Sequence, residues 1–245
     1  MSHLKQYINI KLDVFCYQIR FLGYFLILKF SDLIKPTIIS KALSYKIVKI
    51  FSGGIGQGSK YRTPHIGLGL IHYSLIRLLK PKKILCIGSY RGFIPAICAL
   101  ACKDNKFGSI DFVDAGFSYN GKLKILGDGY WKKKQNRNVF NTFLKSTKLI
   151  KVYVMTTNEY ARRYSKKQFQ YIYIDGDHTY KGVKTDYKLF WPQLDKGGLM
   201  LFHDVLGRGV NDVKFGVKKF WNNLNTFNKI IIPVPKNSGL GILQK

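Results

Sequence analysis

Two short runs gather the residues in this sequence best suited to chemistry. "YIYIDGDHTYKG" (171–182) brings Asp175, Asp177 and His178 together, and "GGLMLFHD" (197–204) ends on His203 and Asp204. The chain has 41 Lys+Arg but only 13 Asp+Glu and 5 His, so chance would rarely assemble this group. Each run opens with alternating or continuous apolar residues, the pattern of a strand, which puts the five polar groups at two strand tips. Carboxylates and imidazoles converging from neighbouring strands suit a divalent cation with mixed oxygen and nitrogen ligation. They also suit a general base working near neutral pH. A plain polar cap on two strand ends is the alternative.

Two further tips carry weaker signals. "KKILCIG" (82–88) reads as a buried strand and leads into Gly88-Ser-Tyr-Arg-Gly92. Glycines there let the backbone approach a ligand, and the helix that follows offers free N–H groups. "GSIDFVDA" (108–115) ends at Asp114, where a carboxylate can accept both hydroxyls of a ribose; a solvated turn aspartate is the alternative. The G-x-G-x-x-G dinucleotide pattern is absent, which disfavours a nicotinamide cofactor.

These tips need a scaffold, and the chain supplies one. A helix is expected from Thr63-Pro64 to Leu79, then strand 82–88, helix 93–102, strand 108–115, helix 138–148 and strand 149–155. Helix 159–168, strand 169–176, helix 180–194, strand 197–204, a helix around 209–224 and a closing strand pair, 229–235 and 239–245, complete the series. Strands alternating with helices give a parallel sheet covered on both faces, which binds ligands at the carboxyl ends of its strands.

The chain has 245 residues, 46% of them hydrophobic, and a formal net charge of +28, room for one large α/β domain plus an extension. Such charge attracts polyanions, although a general enrichment in lysine explains it equally well. "WKKKQNRN" (131–138) reads as a solvated basic loop with nucleic-acid contact as the alternative; a nucleic-acid partner is not favoured. The four cysteines form no C-x-x-C pair, which argues against a zinc ribbon and fits a reducing cytoplasm. The apolar stretch 14–30 is interrupted by Arg20 and too short to span a bilayer. It reads as a packed helix, with a peripheral membrane helix as the alternative, and no signal-peptide cleavage site follows it. A Gly-rich loop, "SGGIGQGSK" (52–60), closes this region.

"ILCIGSYRG", "DFVDA" and "YIYIDGDHTYKGVKTDYKLFWPQLDKGGLMLFHD" resemble class I S-adenosylmethionine-dependent methyltransferases. Within that class the resemblance is to the small-molecule O-methyltransferase branch with macrocin-type sugar methyltransferases and cephalosporin-hydroxylase-like proteins. It covers roughly 60–245 and is most specific over 171–204. It implies a Rossmann-like, doubly wound, mostly parallel seven-stranded sheet with a C-terminal antiparallel pair, in a domain spanning 61–245 after a helical extension, 1–60. By resemblance, Gly88, Ser89, Tyr90 and Gly92 surround the methionine part of S-adenosylmethionine, Asp114 holds its ribose, and Thr157 and Asn158 flank its adenine. Asp175, His203 and Asp204 occupy positions that bind Mg2+ in metal-dependent relatives, and His178 matches their proposed base. Cys86 stands where the family usually has Glu or Asp, and His203 replaces an acidic ligand. This leaves open Mg2+, another divalent cation, or histidines acting as bases alone. The implied acceptor is a small molecule or glycoside, and the expected assembly is a homo-oligomer.

Overall fold

The computed structural model describes residues 39–52, 66–116, 130–207, 216–226, 228–233 and 239–245. The chain divides between residues 44 and 45. The apolar stretch 14–30, the Gly-rich run from 53 to 60 and the helix start at Thr63-Pro64 lie outside the described residues.

After α1 (Lys41–Ile47) and a π-helical turn (Val48–Ser52), the elements alternate: α2 (Gly69–Leu79), β1 (Lys83–Gly88), α3 (Phe93–Asn105), β2 (Ser109–Val113), α4 (Lys134–Leu144), β3 (Ile150–Tyr153), α5 (Thr157–Arg163), β4 (Phe169–Asp175), α6 (Tyr180–Phe190) and β5 (Leu194–His203). α7 (Val217–Asn223) and the antiparallel pair β6 (Lys229–Ile232) and β7 (Leu240–Gln244) follow. The sheet order is β3-β2-β1-β4-β5-β7-β6, parallel through β5, with β7 antiparallel to β5. This is the seven-stranded arrangement expected from the sequence.

Burial of both sheet faces explains the near-continuous apolar strands. One face, with Leu85, Ile87, Ile172, Ile174, Met200 and Phe202, packs under Tyr160, Val183, Phe190, Phe220 and Trp221 of α5, α6 and α7. On the other, His72 of α2 meets Tyr171 and Tyr173, and Phe112 meets Trp131 and Phe140. The period of two thus splits each central strand between the two helical layers.

Several boundaries differ from expectation. α4 starts at Lys134, so "WKKKQNRN" is not a loop: Trp131 is buried in a 3-10 turn (Tyr130–Lys132), and Arg137 donates from Nη1 to the carbonyls of Trp131 and Lys132, both at 2.5 Å. α5 begins at Thr157 because Thr156 caps it. The Thr156 hydroxyl accepts from the Glu159 amide (3.2 Å), and the Glu159 carboxylate accepts from the Thr156 amide (2.9 Å). α6 ends at Phe190, and β5 begins at Leu194 rather than at residue 197. α7 is described only from Val217; residues 208–215 lie outside the described set.

Candidate active site

In a sheet of this order the chain reverses its progress between β1 and β4, and their carboxyl ends frame the crevice where ligands bind. Gly88 and Asp175 are register partners at that point. A methyl group on Gly88 would lie 2.2 Å from the Asp175 carbonyl oxygen, and its φ of +68° is left-handed. Only glycine fits. The following turn is contorted: Ser89 (φ 137°) and Tyr90 (φ 52°) are also positive, as is Gly92 (φ 84°). The Gly92 amide donates to the Ser89 carbonyl (2.7 Å), and a Cβ at Gly92 would meet Phe140 at 2.5 Å. Trp131 stacks on Phe140 and donates from Nε1 to the Tyr90 carbonyl (3.2 Å). Positive φ at non-glycine residues costs free energy and concentrates where backbone must present itself to a ligand.

Asp175, His178, His203 and Asp204 meet beside this turn. The ligating atoms of all four lie within 4.8 Å of one another. His178 Nε2 is 3.2 Å from Asp175 Oδ1 and 2.9 Å from Asp204 Oδ2, while His203 Nδ1 is 3.3 Å from Asp175 Oδ1 and 3.0 Å from Asp204 Oδ1. Asp204 and His203 are buried, and His178 has a side-chain exposure of 18%. Asp204 takes φ 65°, a strained backbone for a non-glycine residue. Tyr173 donates its hydroxyl to Asp175 Oδ2 (3.0 Å). The His178 loop is pinned from behind, because the Gly216 amide donates to the His178 carbonyl at 2.7 Å. Asp177 stands apart from the cluster, exposed, accepting from the Thr179 amide (2.9 Å) at the start of α6.

The electrostatics are those of a four-membered ion cluster. Burial alone would lower the pKa of both histidines, but hydrogen bonds and charge from Asp175 and Asp204 outweigh it, raising His178 to about 9 and His203 to about 10. Burial would raise both carboxyls, and the two imidazoles instead hold them well below the usual range. The sequence suggests a base ready near neutral pH; in this arrangement Asp175 and Asp204 favour His178 as imidazolium at that pH.

Does the cluster fit a divalent ion? Ligands about 2.1 Å from a metal and at right angles lie roughly 3 Å apart, the spacing of the four pairs. His203 Nδ1 faces two carboxylate oxygens at that spacing, and its Nε2 is buried with no hydrogen-bond partner among the described residues. The residues fit the group.

The other expected site residues are positioned as follows. Asp114 follows β2; its Oδ1 accepts from the Gly116 amide (2.7 Å), and burial raises its carboxyl to about 6. Thr157 and Asn158 sit in the first turn of α5, Asn158 exposed. Thr157 hydrogen-bonds Asp186 of α6, whose carboxyl burial pushes up to about 7. Cys86 is buried in β1; Cys98 lies beside it, and both are free thiols.

His72 was not foreseen. Fully buried and kept neutral, chiefly by burial and also by the nearby His203, with a pKa of about 3, it packs edge-on against Tyr173 and pairs through Nδ1 with the Tyr171 hydroxyl at 2.7 Å. It thus lies one aromatic ring behind Asp175. Its only signal in the sequence is a histidine in an amphipathic helix, which a core position explains as well.

Residues 85–205 match a family described as a methyltransferase domain. This segment is a methyltransferase domain. Solved structures extend the likeness in fold beyond this segment. A Podospora anserina methyltransferase, PaMTH1, bound to S-adenosylhomocysteine (SAH), is 16% identical with a TM-score of 0.55, covering 86% of this chain and 89% of its own. A Bacillus cereus O-methyltransferase in complex with SAH is 13% identical, TM-score 0.55, over 88% and 94%. TomG of Streptomyces achromogenes, an O-methyltransferase involved in tomaymycin synthesis and seen with SAM, is 14% identical, TM-score 0.55, over 89% and 94%. A curated relative, "Uncharacterized protein y4gI" of Sinorhizobium fredii, is 22% identical over 169 residues; the match covers 69% of this chain and 18% of that protein.

Proposed function

We propose that this methyltransferase transfers the methyl group of S-adenosylmethionine to a hydroxyl of a small molecule or sugar, with residues 61–245 as the catalytic domain and 1–60 as a helical extension. The observation that carries the reading is the cluster of Asp175, His178, His203 and Asp204 at the switch point, in direct register with the Gly88 turn. It places proton-accepting and cation-binding groups beside the expected cofactor turn.

The turn of Gly88, Ser89, Tyr90 and Gly92 receives the methionine end of the cofactor, Asp114 its ribose, and Thr157 and Asn158 its adenine. The acceptor oxygen attacks the sulfonium methyl in line. An O–C bond forms, the S–C bond breaks, and its electron pair stays on sulfur as S-adenosylhomocysteine leaves. The acceptor proton passes to the protein, with His178, the most exposed member of the cluster, as its receiver in the neutral form. With Asp175 and Asp204 engaged by a cation, His178 would lose the charge that raises its pKa and stay neutral for this role. Holding the two partners in line supplies a large part of the acceleration, roughly 7–11 kcal/mol at best.

Asp175, His203 and Asp204 would hold a divalent ion, which when bound lowers the pKa of a hydroxyl and orients it. One imidazole beside two carboxylates suits Mn2+, Fe2+ or Zn2+ better than Mg2+, which prefers oxygen and keeps its water.

The test is transfer of labelled methyl from S-adenosylmethionine to a panel of saccharide and phenolic acceptors, with chelator or with added Mn2+. His178→Ala and Asp204→Ala should lose transfer by a factor of at least about 100 while still binding S-adenosylhomocysteine. Full transfer by His178→Ala in chelator would overturn the mechanism.

A further inference from the structure

The edge of the sheet opposite the candidate active site has its own character. There α2, α3 and α4 end and the next strands begin. All three helices are closed by a lysine in the left-handed conformation, Lys80 (φ 47°), Lys106 (φ 55°) and Lys145 (φ 52°), where glycine is the favoured residue. The first two turns touch: the Asn105 side chain donates to the Ile76 carbonyl (2.9 Å), the Ser109 amide to the Lys82 carbonyl (3.2 Å), and a Cβ on Gly108 would lie 2.6 Å from the Pro81 carbonyl oxygen. Between the lysines stand three large apolar side chains in water: Leu78 is 78% exposed, Leu79 48% and Phe107 49%. Lys80, Lys82 and Lys106 are all exposed. Among the described residues on this side, Asp104 accepts the Tyr73 hydroxyl (2.7 Å), Asp111 is buried against Lys167, and Asp195 accepts from the Gln170 side chain.

Attraction between lysine and the negative end of a helix dipole accounts for cations at these helix ends. It does not account for exposed leucine and phenylalanine among them. Apolar side chains ringed by lysine match a surface that is negative at its face and oily just beneath it. A second copy of this chain is disfavoured by the net charge of +28. Nucleic acid offers charge but no depth for aliphatic side chains.

We propose that this edge, centred on Leu78, Leu79, Phe107, Lys80, Lys82 and Lys106, docks the protein on an anionic lipid surface. The parallel sheet then dictates the orientation. β1 runs from Lys83 at this edge to Gly88 at the switch point, about 17 Å at strand rise. The site opens away from the bilayer, towards an acceptor in solution or on a chain reaching up from the membrane.

The test is co-sedimentation of the full chain with vesicles of phosphatidylcholine alone or with about a third phosphatidylglycerol, at roughly 0.1 M salt. The chain should bind only the anionic vesicles. K80G/K106G removes two charges while suiting the left-handed backbone, so folding is not at risk, and should weaken binding roughly 30-fold, about fivefold per lysine. L78S/F107S should weaken it as well, with S-adenosylhomocysteine binding unchanged in both variants. Equal binding to both kinds of vesicle, no binding to either, or K80G/K106G binding as the wild type would each overturn the proposal. So would vesicle binding by both variants alongside selective loss of binding to a single-stranded RNA.

Discussion

Asp204 combines three costs at one residue: complete burial, a left-handed backbone and a carboxylate shared between two imidazoles. Removing its charge strands buried positive charge, so Asp204→Asn should lower the stability of the metal-free protein by about 3 kcal/mol, read by urea unfolding. The cluster also fixes a pH signature. His178 and His203 have raised pKa values, so their stabilisation is complete below about 6.5, the value in the unfolded chain, and is lost as pH climbs through about 9 and about 10. Asp175 and Asp204 have depressed values, so theirs is present above about 4 and lost only in strong acid. Unfolding in chelator should therefore show an alkaline loss of stability between about pH 6.5 and 10 that the H178Q/H203Q double variant lacks; identical alkaline limbs would refute the ion cluster. At this scale the sequence reveals the four cluster residues, because acids and histidines are scarce and these stand at strand tips. It hides His72 and Tyr173, whose roles come from sheet register, which no local pattern carries.

Capping and turn chemistry decide where each element stops. Thr156→Ala removes both hydroxyl contacts of the capping box and should cost about 1 kcal/mol without altering metal or cofactor binding, measured by thermal melting. Gly88→Ala is a different case. Its methyl would overlap the Asp175 carbonyl at 2.2 Å, so β1 and β4 must part just where the site is built. A loss of about 3 kcal/mol and of S-adenosylhomocysteine binding is expected, and a variant with wild-type melting would contradict the turn geometry. The strands are readable from the sequence because burial on both faces makes them continuously apolar. α4 is not, since its first turn is lysine, glutamine and asparagine, and its start rests on Arg137 and a buried Trp131. The T-x-x-E pattern at Thr156–Glu159 does announce the true start of α5.

Across the whole molecule, the alternation of strands and helices makes the fold legible, and the carboxyl ends of parallel strands then say where to look. The acceptor is not legible, because no period in the sequence marks the residues that would contact it. Among the described residues, the Asp175–Asp204 cluster stands at one end of the sheet, and exposed lysines close three helices at the other. The account as a whole depends on the cofactor crevice lying beside that acidic end. Isothermal titration of the full chain with S-adenosylhomocysteine tests this most directly. The prediction is saturable one-site binding that Asp204→Asn retains and Asp114→Ala weakens at least about tenfold. Absence of binding by the wild type, or equal affinity in Asp114→Ala, would contradict it.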